Sequence, residues 1–342
     1  MKKYVTFGEL MLRLSPPGHE LLFQGSTLLA TFGGAEANVA VSLANYGENV
    51  SFATVLPENA VADAAIRELR GFGVDTSFIK RGGKRIGIYY AEPGSSMRPS
   101  KVVYDREHSS ISEVLPTDFN WDDILKDAHW FHTTGITPAI SAGSAAVTLE
   151  AMKTAKKRGL RVSCDLNYRK KLWKWGKTPK EVMSEMVRYV DILIANEEDC
   201  QKCLGIELDV DVTSGKLDAS KYQLIAEKIT AQFPNISALA VSLRESISAD
   251  WNNWSIVMVT KNDFYTSRKY EIRNIVDRIG GGDAFGSGLI WGLNNLDGDQ
   301  ATVEFAAAAS ALKHTLYGDY NRMTVEDVKA LAGGNVSGRV QR

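Results

Sequence analysis

The sequence is poor in cysteine, in net charge and in long apolar runs. It has three cysteines in 342 residues and a formal net charge of −1. So few cysteines argue against a disulfide framework, and we expect a reducing, cytoplasmic compartment. A near-neutral chain has no overall electrostatic attraction to nucleic acid or anionic lipid. No run approaches the roughly 18–20 apolar residues of a membrane span. From the charge and the short apolar runs together, we expect neither nucleic acid nor membrane as a partner.

Two of the cysteines, Cys200 and Cys203, have the spacing of a redox pair or of half a zinc site. No second cysteine or histidine pair follows nearby, so we interpret them as two thiols one helical turn apart. Residues 1–8 lead into a strand-like stretch without the apolar core and cleavage site of a signal peptide.

What the chain does have is an ordinary globular balance, with 44% apolar and 24% charged residues.

Short β-rich runs alternate with apolar-periodic stretches along most of the chain. This alternation is typical of βαβ units and predicts a mostly parallel central sheet with helices on both faces, in a single domain over 1–342. The predicted strands are 4–7, 50–55, 128–132, 161–165, 191–195, 238–242 and 255–259. The predicted helices are 35–46, 60–72, 142–158, 178–189, 221–232, 283–293 and 302–315.

Two segments, at about 12–30 and 86–112, break this rhythm. Both show strand-like alternation without an intervening helix. We expect antiparallel strands there that project as a small β lid, and such lids usually gate a small-molecule site. Their exposed edges could pair between subunits, which predicts a homo-oligomer formed through the lid. An edge hairpin without a role is the alternative.

The segment that is most informative about chemistry is a glycine triplet followed by an aspartate. Gly280, Gly281 and Gly282 run into a predicted helix that begins at Asp283. Glycines let backbone N–H groups converge on one point, and a helix N-terminus adds partial positive charge there. The combination predicts an anion hole for a transferring phosphoryl group. A carboxylate beside such a hole repels phosphate, so Asp283 is better explained as a base that accepts a hydroxyl proton.

A second glycine pair, 33–34, precedes a helix that carries Asn38. It has neither the Lys-Ser/Thr of a Walker A loop nor the spacing of a dinucleotide fold. Gly34 would let a polyol approach the backbone, and Asn38 can bond adjacent hydroxyls. An ordinary helix start is the alternative.

A third segment is Asn196-Glu197-Glu198-Asp199, directly after an apolar strand. Ligands of open α/β sheets bind beyond the carboxyl ends of strands. Glu198 and Asp199 are therefore candidates to hold Mg²⁺ through water. The alternative is that these acids interact favourably with the helix dipole.

Taken together, these segments resemble the signatures of the ribokinase-like (PfkB) family of carbohydrate kinases. Residues 280–283 are similar to its C-terminal signature, 33–38 to its N-terminal one and 196–199 to its Asn-x-x-Glu motif, over about residues 3–330. The resemblance implies a ribokinase-like three-layer α/β/α sandwich, with ATP as donor and Mg²⁺ as metal. It implies catalytic roles for Asp283, Gly280, Gly281 and Gly282, and nucleotide binding by Asn196, Ser242, Arg244, Gly280 and Gly282.

Finer features are similar to the 2-keto-3-deoxygluconate kinase branch of that family, among them residues 8–18, 87–90, 104–106, 134–139 and 165–169. A sugar acid needs a cation for its carboxylate, and arginine offers a bidentate fork. Arg106 lies in the predicted lid and Arg169 just past a strand end, so both are placed to reach one anion. For each, a solvated surface arginine is the alternative. By this resemblance the substrate is bound by Gly34, Asn38, Tyr89, Tyr104, Arg106, Ile136, Arg169 and Asp283.

The sequence departs from the family pattern at a few positions. Arg278 stands where a small residue usually follows the first aspartate of the C-terminal signature, which leaves the requirement for a monovalent cation open. The acidic motif ends in Asp199 rather than Glu. Residues 241–246 lack the glycines of the family's nucleotide loop, and 246–254 carry no assigned role.

These observations predict an ATP-dependent kinase that converts 2-keto-3-deoxy-D-gluconate to its 6-phosphate. Fructokinase or ketodeoxygalactonate kinase activity on the same fold is the nearest alternative. A sugar-binding regulatory protein is the non-enzymatic alternative. A requirement for the substrate carboxylate, and turnover of ATP, distinguish these functions.

Overall fold

The structure is a computed structural model that describes residues 2–206, 219–261 and 263–335. The strands in chain order are β1 (Lys3–Phe7), β2 (Met11–Ser15), β3 (Leu29–Gly33), β4 (Asn49–Leu56), β5 (Ile79–Arg81), β6 (Gly87–Glu92), β7 (Lys101–Asp105), β8 (Ala128–Thr134), β9 (Arg161–Asp165), β10 (Ile192–Ala195), β11 (Ala238–Ser248), β12 (Trp251–Thr260), β13 (Phe264–Thr266) and β14 (Tyr270–Arg273). The helices are α1 (Ala35–Asn45), α2 (Ala60–Gly71), α3 (Trp121–Ile124), α4 (Ile136–Ile140), α5 (Ala142–Lys157), α6 (Pro179–Met186), α7 (Glu197–Leu204), α8 (Ala219–Gln232), α9 (Gly281–Asn295), α10 (Asp299–Lys313) and α11 (Val325–Ala332).

Ten of these strands form one central sheet in the order β13-β12-β11-β10-β9-β8-β1-β4-β5, with β14 beside β12. All pairs from β11 to β5 are parallel, whereas β12 pairs antiparallel with β11, β13 and β14. The predicted, mostly parallel sheet is therefore confirmed, with an antiparallel edge.

Alternate residues of the central strands enter two separate cores, one on each face of the sheet. Tyr4 and Trp130 pack into the core beneath α1, α9 and α10, whereas Val5 and Phe131 pack into the core beneath α5 to α8. Each strand is thus covered on both faces, as expected for strands that read as nearly continuous apolar runs. The result is the predicted three-layer α/β/α sandwich.

A smaller sheet of four strands, in the order β3-β2-β6-β7, forms the lid. Its inner face carries Met11, Arg13 and Tyr89, which are buried, while Leu12, Leu14 and other alternate residues face outward. The prediction that the lid strands are antiparallel is correct for β2–β3 and β6–β7 but wrong for β2–β6, which is a parallel pair. β2 and β6 lie more than seventy residues apart in the chain, so their pairing leaves no local sequence signal.

Some predicted element bounds also change. The strand predicted at 238–242 continues to Ser248, because it pairs along its whole length with β12 in one long hairpin. The helix predicted at 178–189 ends at Met186 and is followed by a 3₁₀ turn over Val187–Tyr189. Within the described residues, no helix combines the length and the apolar character that crossing a bilayer requires.

Candidate active site

One cavity of about 860 Å³ lies under the lid, at the carboxyl ends of the central strands. Its size falls within the range of small-molecule sites. Every site residue predicted from the sequence lines this cavity except Arg106. They are Gly34, Asn38, Tyr89, Tyr104, Ile136, Arg169, Asn196, Glu198, Asp199, Ser242, Arg244, Gly280, Gly281, Gly282 and Asp283.

The glycine triplet forms the N-terminal turn of α9. Gly280 adopts the left-handed conformation (φ 83°), and a side-chain carbon there would overlap the backbone oxygen of Asp319. The amide of Gly281 donates to the carbonyl of Arg278 at 3.2 Å, and that of Ala284 to Gly280. Among described residues, the amides of Gly282 and Asp283 have no backbone acceptor. These two N–H groups, at the positive end of α9, can therefore bind an anion.

Asp283 lies in the first turn of α9 and is partly buried. Its Oδ2 accepts a hydrogen bond from Nδ2 of Asn38 at 2.7 Å. Burial raises the pKa of Asp283 to about 6, and the nearby carboxylate of Asp319 adds to the shift, whereas Asn38, Arg169 and Lys313 oppose it. Above this pKa the group is an ionised base that is stronger than an exposed aspartate.

Asn38 is held in place by the backbone at the start of α1. Its Oδ1 accepts from the amide of Gly34 at 3.3 Å while its Nδ2 reaches Asp283. A side-chain carbon on Gly34 would overlap the carbonyl oxygen of Glu9, so only glycine fits this approach of the two backbones. The two predicted sequence signatures thus meet at one hydrogen bond.

Two arginines give one side of the cavity a positive charge. Arg169 follows β9, and its Nη1 donates to the carbonyl of Tyr168 at 3.0 Å. Arg244 lies on β11, where burial and the nearby Arg169 lower its pKa. Neither arginine forms an ion pair with a described carboxylate, so both can bind an anionic ligand.

The acidic segment after β10 caps α7. Asp199 accepts from the amide of Asn196 at 3.0 Å and from that of Tyr168 at 2.9 Å. Both of its oxygens are used in this way, so it serves as a cap, whereas Glu198 is exposed in the cavity. In the described part of the chain, no group of three or more His, Cys, Asp or Glu side chains is arranged to hold a metal ion. The assignment of Glu198 and Asp199 to Mg²⁺ stays a prediction.

Arg106 is the predicted site residue that lies outside the cavity lining. It is buried and forms an ion pair with Glu9, and its guanidinium lies 5.4 Å from the ring centre of Tyr104, which does line the cavity. The alternative of a solvated surface arginine is therefore wrong, whereas the substrate contact stays a prediction.

Several polar residues of the site had escaped the sequence analysis. Asp165, the last residue of β9, and Asn167, just beyond it, line the cavity, and the rule that was applied to Asn196 would also have found them. Burial, together with the carboxylates of Asp199 and Asp283, holds the pKa of Asp165 well above its usual value. Asp319 lines the cavity too and accepts from the hydroxyl of Tyr89, at 2.6 Å to Oδ2. Nothing in the sequence around Asp319 indicated that this residue belongs to the site.

Arg278 joins the glycine loop to the long β11–β12 hairpin. Its guanidinium donates to the carbonyls of Ala249 (2.7 Å) and Ser248 at the hairpin tip. The amide of Ala249 in turn donates to the carbonyl of Ser96 in the lid, at 2.7 Å. Residues 246–254, which had no assigned role, therefore connect the lid with the glycine loop. Residues 241–246 are strand rather than a nucleotide loop.

Comparisons with known proteins show which proteins this chain resembles in sequence and fold. The sequence model described as pfkB family carbohydrate kinase matches residues 1–325. The crystal structure of 2-dehydro-3-deoxygluconokinase from Thermotoga maritima is 48% identical, with a TM-score of 0.92 over 98% of this chain and 100% of its own. The 2-dehydro-3-deoxygalactonokinase of Haloferax volcanii is 31% identical over 334 residues, 98% of each chain. A putative ribokinase II from E. coli in complex with ATP and Mg²⁺, 15% identical, shares the fold over 97% of this chain and 99% of its own (TM-score 0.76).

Proposed function

The chain belongs to the pfkB family of carbohydrate kinases, and on this premise we propose that it phosphorylates 2-keto-3-deoxy-D-gluconate at its 6-hydroxyl. The predicted family, fold and sugar-kinase class are confirmed. The observation that carries the substrate proposal is the pairing, in one cavity, of Asp283 at the N-terminus of α9 with two unpaired arginines. A neutral sugar would give those arginines only the phosphates to bind.

In this proposal Asp283 is the base. Its carboxylate accepts the proton of the 6-hydroxyl while that oxygen attacks the γ-phosphorus of ATP in line and ADP leaves. Because an alcohol is a far weaker acid than Asp283, the proton moves late in the step. Asn38 fixes the carboxylate at 2.7 Å, and the amides of Gly282 and Asp283 stabilise the charge on the phosphoryl oxygens.

Arg169 binds the substrate carboxylate in this proposal. It is exposed in the cavity and has no acidic partner among the described ion pairs, whereas Arg106 is engaged by Glu9. Tyr104 lines the cavity from lid strand β7, beside Arg106, and can contact the sugar. Truncating Arg169 should therefore weaken binding of the acid by roughly 10- to 100-fold, as expected for hydrogen bonds between charged groups.

The nucleotide occupies the other end of the cavity, toward Asn196, Ser242 and Arg244. Arg244 supplies positive charge there, beside the rings of Trp254 and His314, whose centres lie 5.4 Å apart. When bound, Mg²⁺ would neutralise charge on the phosphates of ATP. Glu198 is the exposed carboxylate of this region that can reach its waters, because Asp199 is used as a cap.

The lid also supports the proposal of a homo-oligomer. Leu12, Leu14 and Tyr90 are half-buried on its outer face, and Phe23 and Val103 are 70% and 51% exposed. Apolar residues that share one exposed face of a sheet are typical of a subunit interface. We therefore assign the oligomer contact to this face rather than to the strand edges.

We also place the enzyme in the cytoplasm. The cysteines Cys164, Cys200 and Cys203 are all buried and unpaired. Free thiols persist where glutathione keeps them reduced.

The galacto epimer is the second candidate substrate, because the Haloferax volcanii relative that matches 98% of this chain is a 2-dehydro-3-deoxygalactonokinase. The test is a coupled ADP-release assay with MgATP that compares both keto-deoxy acids with fructose and ribose. We expect turnover of the acids alone, with a preference for the gluco epimer, and a loss of that turnover in Arg169→Met. A preference for the galacto epimer would make that epimer the first candidate substrate and the gluco epimer the second. Equal turnover of fructose would refute the role of Arg169, and sugar binding without ADP release would indicate a regulatory protein.

A further inference from the structure

A buried lysine lies directly beneath the glycine loop. Lys313 is the last residue of α10 and is fully buried. A side-chain carbon added to Gly280 would lie 3.2 Å from Cε of Lys313. The Nζ of Lys313 donates to the carbonyl of Leu316 at 3.2 Å. Its ammonium group is therefore held under the turn that aims the amides of Gly282 and Asp283.

The lysine belongs to a buried group of charges that sums to zero. Asp277 begins the loop, Asp319 underlies Gly280, and each is less than a tenth exposed. Arg13, from lid strand β2, bridges both carboxylates at 2.7 and 2.9 Å. Arg13 and Lys313 thus offset two negative charges that would otherwise repel a phosphoryl group bound above them. Buried charges are tolerated only when they are balanced in this way.

The carboxylate oxygens of Asp277, beside Lys313, already accept several hydrogen bonds. Asp277 accepts from Arg13 and from the amides of Ile279 and Gly318, both at 3.1 Å. A monovalent metal ion needs several oxygens, often backbone carbonyls, to replace its water shell. Arg278, at the position that left the cation requirement open, is turned away toward the β11–β12 hairpin. The surroundings of the loop therefore do not fit an inorganic cation.

We propose that Lys313 is a built-in cation of the glycine loop, which positions its amides and makes phosphoryl transfer independent of potassium and sodium ions. This inference rests on the proposed kinase function. Lys313 does not line the cavity, so it is a positioning residue. Its charge also helps to lower the pKa of Asp283, which favours the ionised base. Burial lowers the pKa of Lys313 itself, but Asp277 and Asp319 oppose that shift.

The first test measures kcat of the wild-type enzyme in tetramethylammonium buffer, with KCl or NaCl added at constant ionic strength. We expect kcat to change by less than about twofold, since the charge that a metal ion would bring is already present. Stimulation of tenfold or more by either salt would overturn the proposal.

The second test compares two variants at the same position. Lys313→Met removes the charge but keeps most of the volume, whereas Lys313→Ala leaves space beside Asp277. We expect kcat to fall about 10²-fold in both, comparable to the loss of one anion-hole donor. Ammonium or methylammonium should restore part of the activity of Lys313→Ala and should have no such effect on Lys313→Met. Lys329→Met, at an exposed lysine of α11, is the control and should behave as wild type.

A third readout does not depend on turnover. Ammonium should raise the melting temperature of Lys313→Ala above that in tetramethylammonium, and it should leave the wild type unchanged, because only the variant has a site to fill. If the wild type phosphorylates no sugar acid, the proposed function fails. The melting temperatures then decide by themselves whether Lys313 acts as the cation of the glycine loop. Wild-type kcat in Lys313→Met would refute the role of the charge. Slow variants that no cation restores or stabilises would show that Lys313 only supports the fold.

Discussion

Replacing Asn38 by alanine should move the acidic limb of the pH–rate profile to higher pH. The amide of Asn38 donates to Asp283 at 2.7 Å and lowers its pKa, against burial, which raises it to about 6. A hydrogen bond to a charged group contributes about 1.5–3 kcal/mol. One pKa unit corresponds to about 1.4 kcal/mol, so full loss of the bond would raise the pKa by roughly one to two units. Since water can enter the cavity and replace part of this bond, we expect a shift of about one unit.

The measurement is kcat/KM for the sugar acid between pH 4.5 and 8.5, at saturating MgATP. The nucleotide and the substrate carboxylate titrate identically in both enzymes, so their contributions cancel when the two profiles are compared. Asn45→Ala, at the other end of α1, is the matched control and should leave the limb in place. An Asn38→Ala profile within about 0.3 unit of the wild type would refute the assignment of this limb to Asp283, whatever happens to kcat.

Three further substitutions test other parts of the structure. Asp283→Asn should lower kcat by about 10²- to 10⁴-fold without unfolding the protein, because it removes the base. Gly280→Ala should lower both kcat and the free energy of unfolding, the latter by at least about 1–2 kcal/mol, because φ is 83° and the added carbon overlaps Asp319. Val103→Asp, on the outer lid face, should reduce the mass measured by light scattering to that of one subunit.

A fourth substitution concerns stability. Burial raises the pKa of Glu36 to about 7 despite hydrogen bonds from Thr134 and Thr137. A folded-state pKa above the unfolded value means that the folded protein binds the proton more tightly. The contribution of Glu36 to stability should therefore be complete below about pH 4 and should fall by up to about 3 kcal/mol as the pH rises to 7. Glu36→Gln should lack this part of the pH dependence in urea unfolding.

Each of these expectations has an outcome that contradicts it. Residual activity of Asp283→Asn within tenfold of the wild type would point to another base, and Asp165, which also lines the cavity, is a candidate. A fully active Gly280→Ala would show that the loop tolerates displacement. An unchanged mass for Val103→Asp, or a monomeric wild type, would exclude the outer lid face as the interface. Parallel pH–stability curves for wild type and Glu36→Gln would show that Glu36 titrates normally.

The parts of the site that could be predicted from the sequence are those whose chemistry is local. A glycine triplet before a helix, with Asp283 in its first turn, predicts its own backbone geometry, and the structure has that geometry at Gly280. In the same way, the predicted helix after Gly34 indicated where Asn38 lies. Such features need only a few neighbouring residues, so their meaning does not depend on the rest of the fold.

The parts that could not be predicted depend on partners far along the chain. Glu9, the partner of Arg106, is 97 residues away, and Asp319, the partner of Arg13, is 306 residues away. Without these partners, Arg106 reads equally well as a ligand for an anion or as a surface residue. Residues 243–246, beyond the end of the predicted strand, were equally ambiguous, because their pairing with β12 is what extends the strand.

The tip of the β11–β12 hairpin contacts both the lid and Arg278, which lies beside the glycine loop. Ala249 bonds Ser96 of the lid, and Arg278 bonds the same tip from beside the glycine loop. A ligand that shifts the lid loop would therefore also act on the glycine loop. Thermodynamic linkage makes such an effect mutual, so any factor by which the sugar acid tightens ATP binding is the factor by which ATP tightens binding of the acid. The hairpin gives this chain a physical means for its two substrates to bind with synergy.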